Sequence, residues 1–134
     1  MKFQNLEHTA DLKIQAWGQT QKEVFTNMAL GMFANIISEK DILKDQPVER
    51  KINVQSADKQ SLLVDFLSHL VTLSDINDEV YLNYQLRILN SEIKGNVHGY
   101  KIKGLKLEIK AVTYNDLILE EKEGQWVAEV VFDI

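Results

Sequence analysis

Apolar positions recur in pairs four residues apart in "TQKEVFTNMALGMFANIIS": Val24, Phe25, Met28, Ala29, Met32, Phe33, Ile36 and Ile37. That spacing follows a 3.6-residue period and predicts an amphipathic helix. Thr20, followed three residues later by Glu23, has the form of a capping box, in which each side chain answers the other's backbone N–H. A second helix is predicted in "SADKQSLLVDFLSHLVTLS". Its stripe is Leu62, Leu63, Phe66, Leu67, Leu70 and Val71, and either Ser56 or Asp58 serves as its cap.

Elsewhere the period falls to two, the signature of strands. Leu12, Ile14 and Ala16 alternate with Lys13 and Gln15. Residues 48–54 alternate weakly, and residues 80–89 do so clearly, with Val80, Leu82, Tyr84, Leu86 and Ile88 on one side. In 105–114, Leu105, Leu107, Ile109 and Ala111 oppose Lys106, Glu108 and Lys110. "DLILEE" and "WVAEVVFDI" flank "KEGQ", which predicts a closing hairpin. Residues 90–105, interrupted by Gly95, Gly99 and Gly104, read as the least regular stretch, with bulges or an exposed hairpin.

Strands gathered after the helices favour an α+β fold over a doubly wound parallel sheet. With one proline and no Gly/Ser linker, the expectation is a single domain, 1–134, of two amphipathic helices on a mostly antiparallel or mixed sheet.

Composition narrows the chemistry. The absence of cysteine excludes disulfides, thiolate metal sites and Cys nucleophiles, and it fits a reducing cytoplasm. No apolar run approaches the roughly 20 residues that span a bilayer. Fifteen basic against twenty acidic side chains give a net charge of −5, which disfavours avid phosphate-backbone binding. Any role with RNA is therefore expected to pass through a protein partner. The glycines match neither a P-loop nor a dinucleotide fingerprint, and no G-x-S-x-G elbow or H-E-x-x-H spacing occurs. His69 reads as a helix-flank residue, His98 as exposed, and Asp65 and Asp75 as the solvated border of the second helix.

Two polar groupings remain. Glu7, His8, Thr9 and Asp11 crowd the mouth of the first predicted strand. Asp133 ends a last strand too apolar to be frayed. If these two strands are neighbours, Asp11, Asp133 and a carboxylate at Ile134 converge, and such a group needs a cation to offset its repulsion. Hard oxygen donors select Ca²⁺, Mg²⁺ or Mn²⁺. An alternative is a small metal-dependent hydrolase using Glu7, His8 and Asp11. A third reading is a protein-interaction domain whose carboxylates are incidental.

"EHTADLKIQAWG", "SLLVDFLSHLVTLSD", "EIKAVTY" and "WVAEVVFDI", taken in that order, resemble the motifs of the archease family across nearly the whole chain. The resemblance implies an accessory protein, not an enzyme. Such a protein activates an RtcB-type tRNA-splicing RNA ligase, promoting its guanylylation and multiple turnover. It further implies a divalent cation, often calcium, held by Asp11, Asp133 and the terminal carboxylate of Ile134, with Lys110 in the same functional cluster. His8 and Thr9 become supporting or loop-shaping residues. Two positions depart from the pattern: Asn115 stands where the family commonly has histidine, and Gly95-Asn96 stands where Gly-Glu is common.

Overall fold

The computed structural model describes residues 1–7 and 10–134. Its elements run β1 (Phe3–Leu6), β2 (Leu12–Gly18), α1 (Gln21–Ile36), β3 (Ile42–Gln55), α2 (Lys59–Asn77), β4 (Glu79–Leu89), β5 (Glu92–Ile102), β6 (Ala111–Val112), β7 (Ile118–Lys122) and β8 (Gln125–Asp133), with a 3₁₀ turn at Glu39–Asp41. The strands form two sheets. One runs β1-β2-β8-β6, with β7 also on β8; the other runs β3-β5-β4. Every pairing among the described residues is antiparallel. The fold is thus α+β, with the strands divided between two sheets.

Both helices form where the 3.6-residue stripes lie. Thr20 caps α1, its hydroxyl accepting from the Glu23 N–H at 3.1 Å. Asp58, not Ser56, caps α2, accepting from the Ser61 N–H at 2.7 Å. The Ser56 hydroxyl instead donates to Asp65 at 2.6 Å. α1 packs chiefly on β2 and then on β4, with β1 and β8 beside them; α2 packs on β3, β4 and β5 and reaches β6 and β7. The helices therefore join the two sheets through one core. Rings tie the layers together: Phe25 and Phe66 lie 5.8 Å apart across the helices, and Phe33 meets Tyr81 edge-on at 5.7 Å. Each such buried ring removes apolar surface worth about 2–3 kcal/mol from water.

Three stretches differ from the sequence reading. β1 is a short edge strand that the alternation did not reveal. Residues 90–105, expected to be irregular, contain β5, the central strand of its sheet. Its glycines are demanded by close approach: a Cβ at Gly99 would overlap the Val80 carbonyl oxygen, and one at Gly95 would overlap that of Gln85. A hairpin does occur, but at Asn90 and Ser91 and not at the glycines: both have positive φ (51° and 57°) between the paired Leu89 and Glu92. That is a type I′ turn, whose twist matches the strands it joins. Glu123 and Gly124 (φ 53° and 76°) close the β7–β8 hairpin in the same way, as "KEGQ" predicted.

The strand expected over 105–114 shrinks to Ala111–Val112. Residues 103–110 must cross from one sheet to the other past the end of α1. Their N–H groups find single partners on the way: Lys103 donates to Asp41 at 2.8 Å and Lys106 to Ile36 at 2.9 Å. Ile109 is nevertheless buried and Leu107 packs on the core, while Leu105 and Ala111 are exposed, so the alternation reported burial only at its middle, and without a ladder.

Candidate metal-binding end of the central strand

β8 is bonded on both sides, and its register positions the candidate residues. Against β2 the ladder runs from Gly18↔Trp126 to Leu12↔Phe132. Asp11 is the next residue beyond that last pair, level with Asp133. Leu12 and Phe132 are buried, so the following residues lie on the opposite face; Asp133 is exposed and Asp11 half-buried. On the other flank Ala111 pairs with Asp133. The Lys110 N–H donates to the Asp133 carbonyl at 2.7 Å, and the Thr113 N–H and hydroxyl both reach Val131 O, at 3.1 and 2.9 Å. Lys110 is exposed, and Ile134 is half-buried against the core.

Thus the strand order brings Asp11, Lys110, Asp133 and Ile134 to one end of one sheet. The backbone entering this end is strained: Ala10 sits at φ 65°, a left-handed conformation that costs an alanine on the order of 1 kcal/mol. Such strain persists where the surroundings over-determine it, and here it sets the entry to Asp11.

Of the other sequence candidates, His8 and Thr9 lie outside the described residues. Glu7 is exposed just after β1. Among the described residues, no three His, Cys, Asp or Glu side chains gather as a metal-ligand set. Two aspartates at one strand end supply hard oxygen donors suited to a cation such as Ca²⁺ or Mg²⁺. Ile134, the residue after Asp133, lies at the same strand end. His69 is half-buried on α2, as a flank residue should be. His98 is less open than expected: its Nε2 is enclosed, 3.9 Å from Glu49. Asn115 lies in a tight turn, its N–H 3.3 Å from the Thr113 hydroxyl.

One charged cluster escaped the sequence reading altogether. Glu79, at the start of β4, is fully buried. Arg50 grips its carboxylate through Nε at 2.9 Å and a second guanidinium nitrogen at 2.7 Å, the Tyr81 hydroxyl donates to it at 2.7 Å, and the Lys101 ammonium lies 3.3 Å away. The guanidinium, chiefly, holds the Glu79 carboxyl down to about 2, while burial and this carboxylate push the Tyr81 phenol up. The cluster also anchors α2: the Ser74 hydroxyl donates to Glu79 O at 2.6 Å and Lys101 Nζ to Asn77 O at 2.8 Å. It is a structural clamp between helix and sheet.

These features define a small two-sheet α+β domain with an acidic pair at the end of its central strand; no helix among the described residues is long and apolar enough to cross a membrane. A sequence model of the archease protein family matches residues 3–134. Protein archease of Methanosarcina mazei is 41% identical, covering 99% of this chain and 96% of that protein. Protein archease of Pyrococcus furiosus is 34% identical over 99% of both. The solution structure of protein 1598 of Methanobacterium thermoautotrophicum superposes with a TM-score of 0.74 at 23% identity, covering 98% of each chain. An archease from Thermotoga maritima, described as a possible chaperone, gives 0.67 at 21% identity, covering 96% of this chain and 94% of that one. The chain belongs to the archease family.

Proposed function

We propose that this archease is a non-catalytic, metal-binding accessory protein of an RtcB-type RNA ligase in tRNA splicing and RNA repair, promoting guanylylation of the ligase and its repeated turnover. The observation that carries the reading is the β2–β8–β6 register, which brings Asp11 level with Asp133 and bonds Lys110 to Asp133 across the other flank. The setting is a cytoplasmic one.

Asp11, Asp133 and the carboxylate at Ile134 would hold the divalent cation, Ca²⁺ or alternatively Mg²⁺ or Mn²⁺. A bound cation supplies charge stabilisation for phosphate oxygens. The chain's own contribution is positional. β6 holds Asp133 on one flank while β2 holds the adjacent Phe132 on the other, and the strained Ala10 sets the approach of Asp11. Lys110, exposed at the same end of the sheet, would bring a positive charge suited to phosphate in a partner's active-site mouth.

The test mixes the chain with its cognate ligase, GTP, Mn²⁺ and cleaved tRNA. The expected result is many ligation turnovers only when both proteins are present. Full stimulation by a folded Asp11→Ala protein overturns the reading, and phosphoester hydrolysis by this chain alone would favour the hydrolase built on Glu7, His8 and Asp11.

A further inference from the structure

The two sheets treat their solvent faces differently. On the β1-β2-β8 face, neighbours are complementary: Gln4 donates to Gln15 at 2.7 Å, Gln15 to Glu129 at 2.9 Å, and Lys13 lies 3.5 Å from Glu129. On the outer face of β3-β5-β4 the register sets like charges side by side. Arg87 of β4 is directly paired with Lys94 of β5, with Asn53 of β3 on the far side of Lys94. The next row on this face is Lys51, Asn96 and Gln85. Like charges directly opposite on a sheet are destabilising.

Cations on exposed edge strands are a common guard against edge-to-edge aggregation. That explains Lys51 on β3 and Arg87 on β4, but not Lys94, which is on the central strand. Glu92 approaches Lys94 only to 3.9 Å, and Glu49 bounds the face at His98. A groove of about 520 Å³ along β4 adds Lys22 of α1 beside Arg87 and Lys94. The outward residues of these two rows are cations and amides, without the apolar centre that protein interfaces need. Cations flanked by amide donors suit a phosphate–sugar backbone. The two-residue step between rows, about 6.8 Å, lets successive cations address successive points along a strand.

We propose that the outer face of β3-β5-β4, through Lys51, Arg87 and Lys94, binds the phosphate backbone of RNA. This revises the expectation, drawn from net charge alone, that RNA is met only through a protein. The surface is argued independently of the ligase; the choice of RNA over DNA rests on the ligase-accessory reading.

The experiment is fluorescence anisotropy of a labelled 12-nucleotide mixed-sequence RNA, titrated with the full chain without ligase at several salt concentrations. Wild type should bind in roughly the 10–100 µM range at low salt, with a log–log salt slope of about −2 for three phosphates on a single strand. K51Q/R87Q/K94Q should bind at least tenfold more weakly, with a flattened slope and a melting temperature no lower than wild type, since a repulsive pair is removed. A charge-matched variant at exposed lysines elsewhere, K40Q/K103Q/K106Q, should bind like wild type. Undetectable wild-type binding at low salt, equal losses in the two variants, or preference for a poly-Glu peptide over RNA would each overturn the proposal. Tighter binding of the matching DNA than of RNA would overturn the assignment to RNA. Any of these failures leaves stimulation of the ligase through Asp11 and Asp133 as a separate measurement.

Discussion

The main-chain N–H of Lys110 donates to the carbonyl oxygen of Asp133 at 2.7 Å, across the junction of β6 and β8. Neither side chain is needed for this bond, so substitutions there separate function from folding. Asp133→Ala and Lys110→Ala should each fold with a melting temperature within a few degrees of wild type. Asp133→Ala should weaken calcium binding by calorimetry at least tenfold, whereas Lys110→Ala should keep the cation and lose ligase stimulation. A Lys110→Ala protein that still stimulates fully would remove Lys110 from the proposed cluster.

An extension beyond Ile134 tests the third donor. Appending a few residues turns the carboxylate there into an amide carbonyl, which removes one anionic ligand. Calcium affinity should fall about tenfold while β8 remains docked, as amide exchange at Val130 and Val131 would report. Unchanged affinity would reduce the proposed protein ligands to the aspartates and whatever lies outside the described residues.

The buried clamp sets acid stability. The Glu79 carboxyl is held at about 2, below its ordinary value of 4.5. In the folded state its ionised form is favoured, so the stabilisation is fully present above about pH 4.5 and fades as pH falls towards 2. Arg50→Met takes the two-pronged guanidinium from a buried carboxylate, leaving it the Tyr81 hydroxyl and the Lys101 ammonium, and should cost about 3 kcal/mol at pH 7. At pH 3, in urea titrations, Arg50→Met and wild type should differ by less than at pH 7. An equal difference at both pH values would show that the guanidinium contributes through packing of its stem.

Backbone contact at the central strand predicts a steep local penalty. Gly99→Ala forces β4 and β5 apart at Val80 and should destabilise the protein by about 3 kcal/mol or more, with early amide exchange along β4. Gly104→Ala, at a position where an added Cβ meets nothing within 4 Å, should be close to neutral. Comparable effects at the two positions would mean that β4 and β5 relieve the overlap at Gly99 without cost, since the loss of unfolded-chain entropy favours alanine at both.

The helices were legible because their evidence is local: a four-residue recurrence, and caps at Thr20 and Asp58 that bond within their own first turns. The β7–β8 turn was legible for the same reason. Gly95 and Gly99 misled, since glycine interrupts an alternating pattern identically whether the chain breaks or another strand crowds it. Leu107 and Ile109 misled in the opposite sense, because alternating burial needs no hydrogen-bonded neighbour. Glu79 was invisible because its burial depends on Arg50, far away in sequence and adjacent only through β5. The convergence of Asp11 and Asp133 was a conditional reading, contingent on β2 and β8 being neighbours. The register meets that condition, while the cation itself remains the proposal.

The two sheets are assembled from different spans of the chain. β3, β4 and β5 are contiguous in sequence apart from α2, whereas β2 must find β8 across more than a hundred residues, from Leu12 to Phe132. Loop closure over that span is slow and entropically costly, so the β2–β8 ladder is expected to form late in folding. Asp11 and Asp133 therefore come level only in a finished molecule. A partially folded chain carries both carboxylates but not the pair, so a cation held as proposed at this end of β8 would report on completed folding.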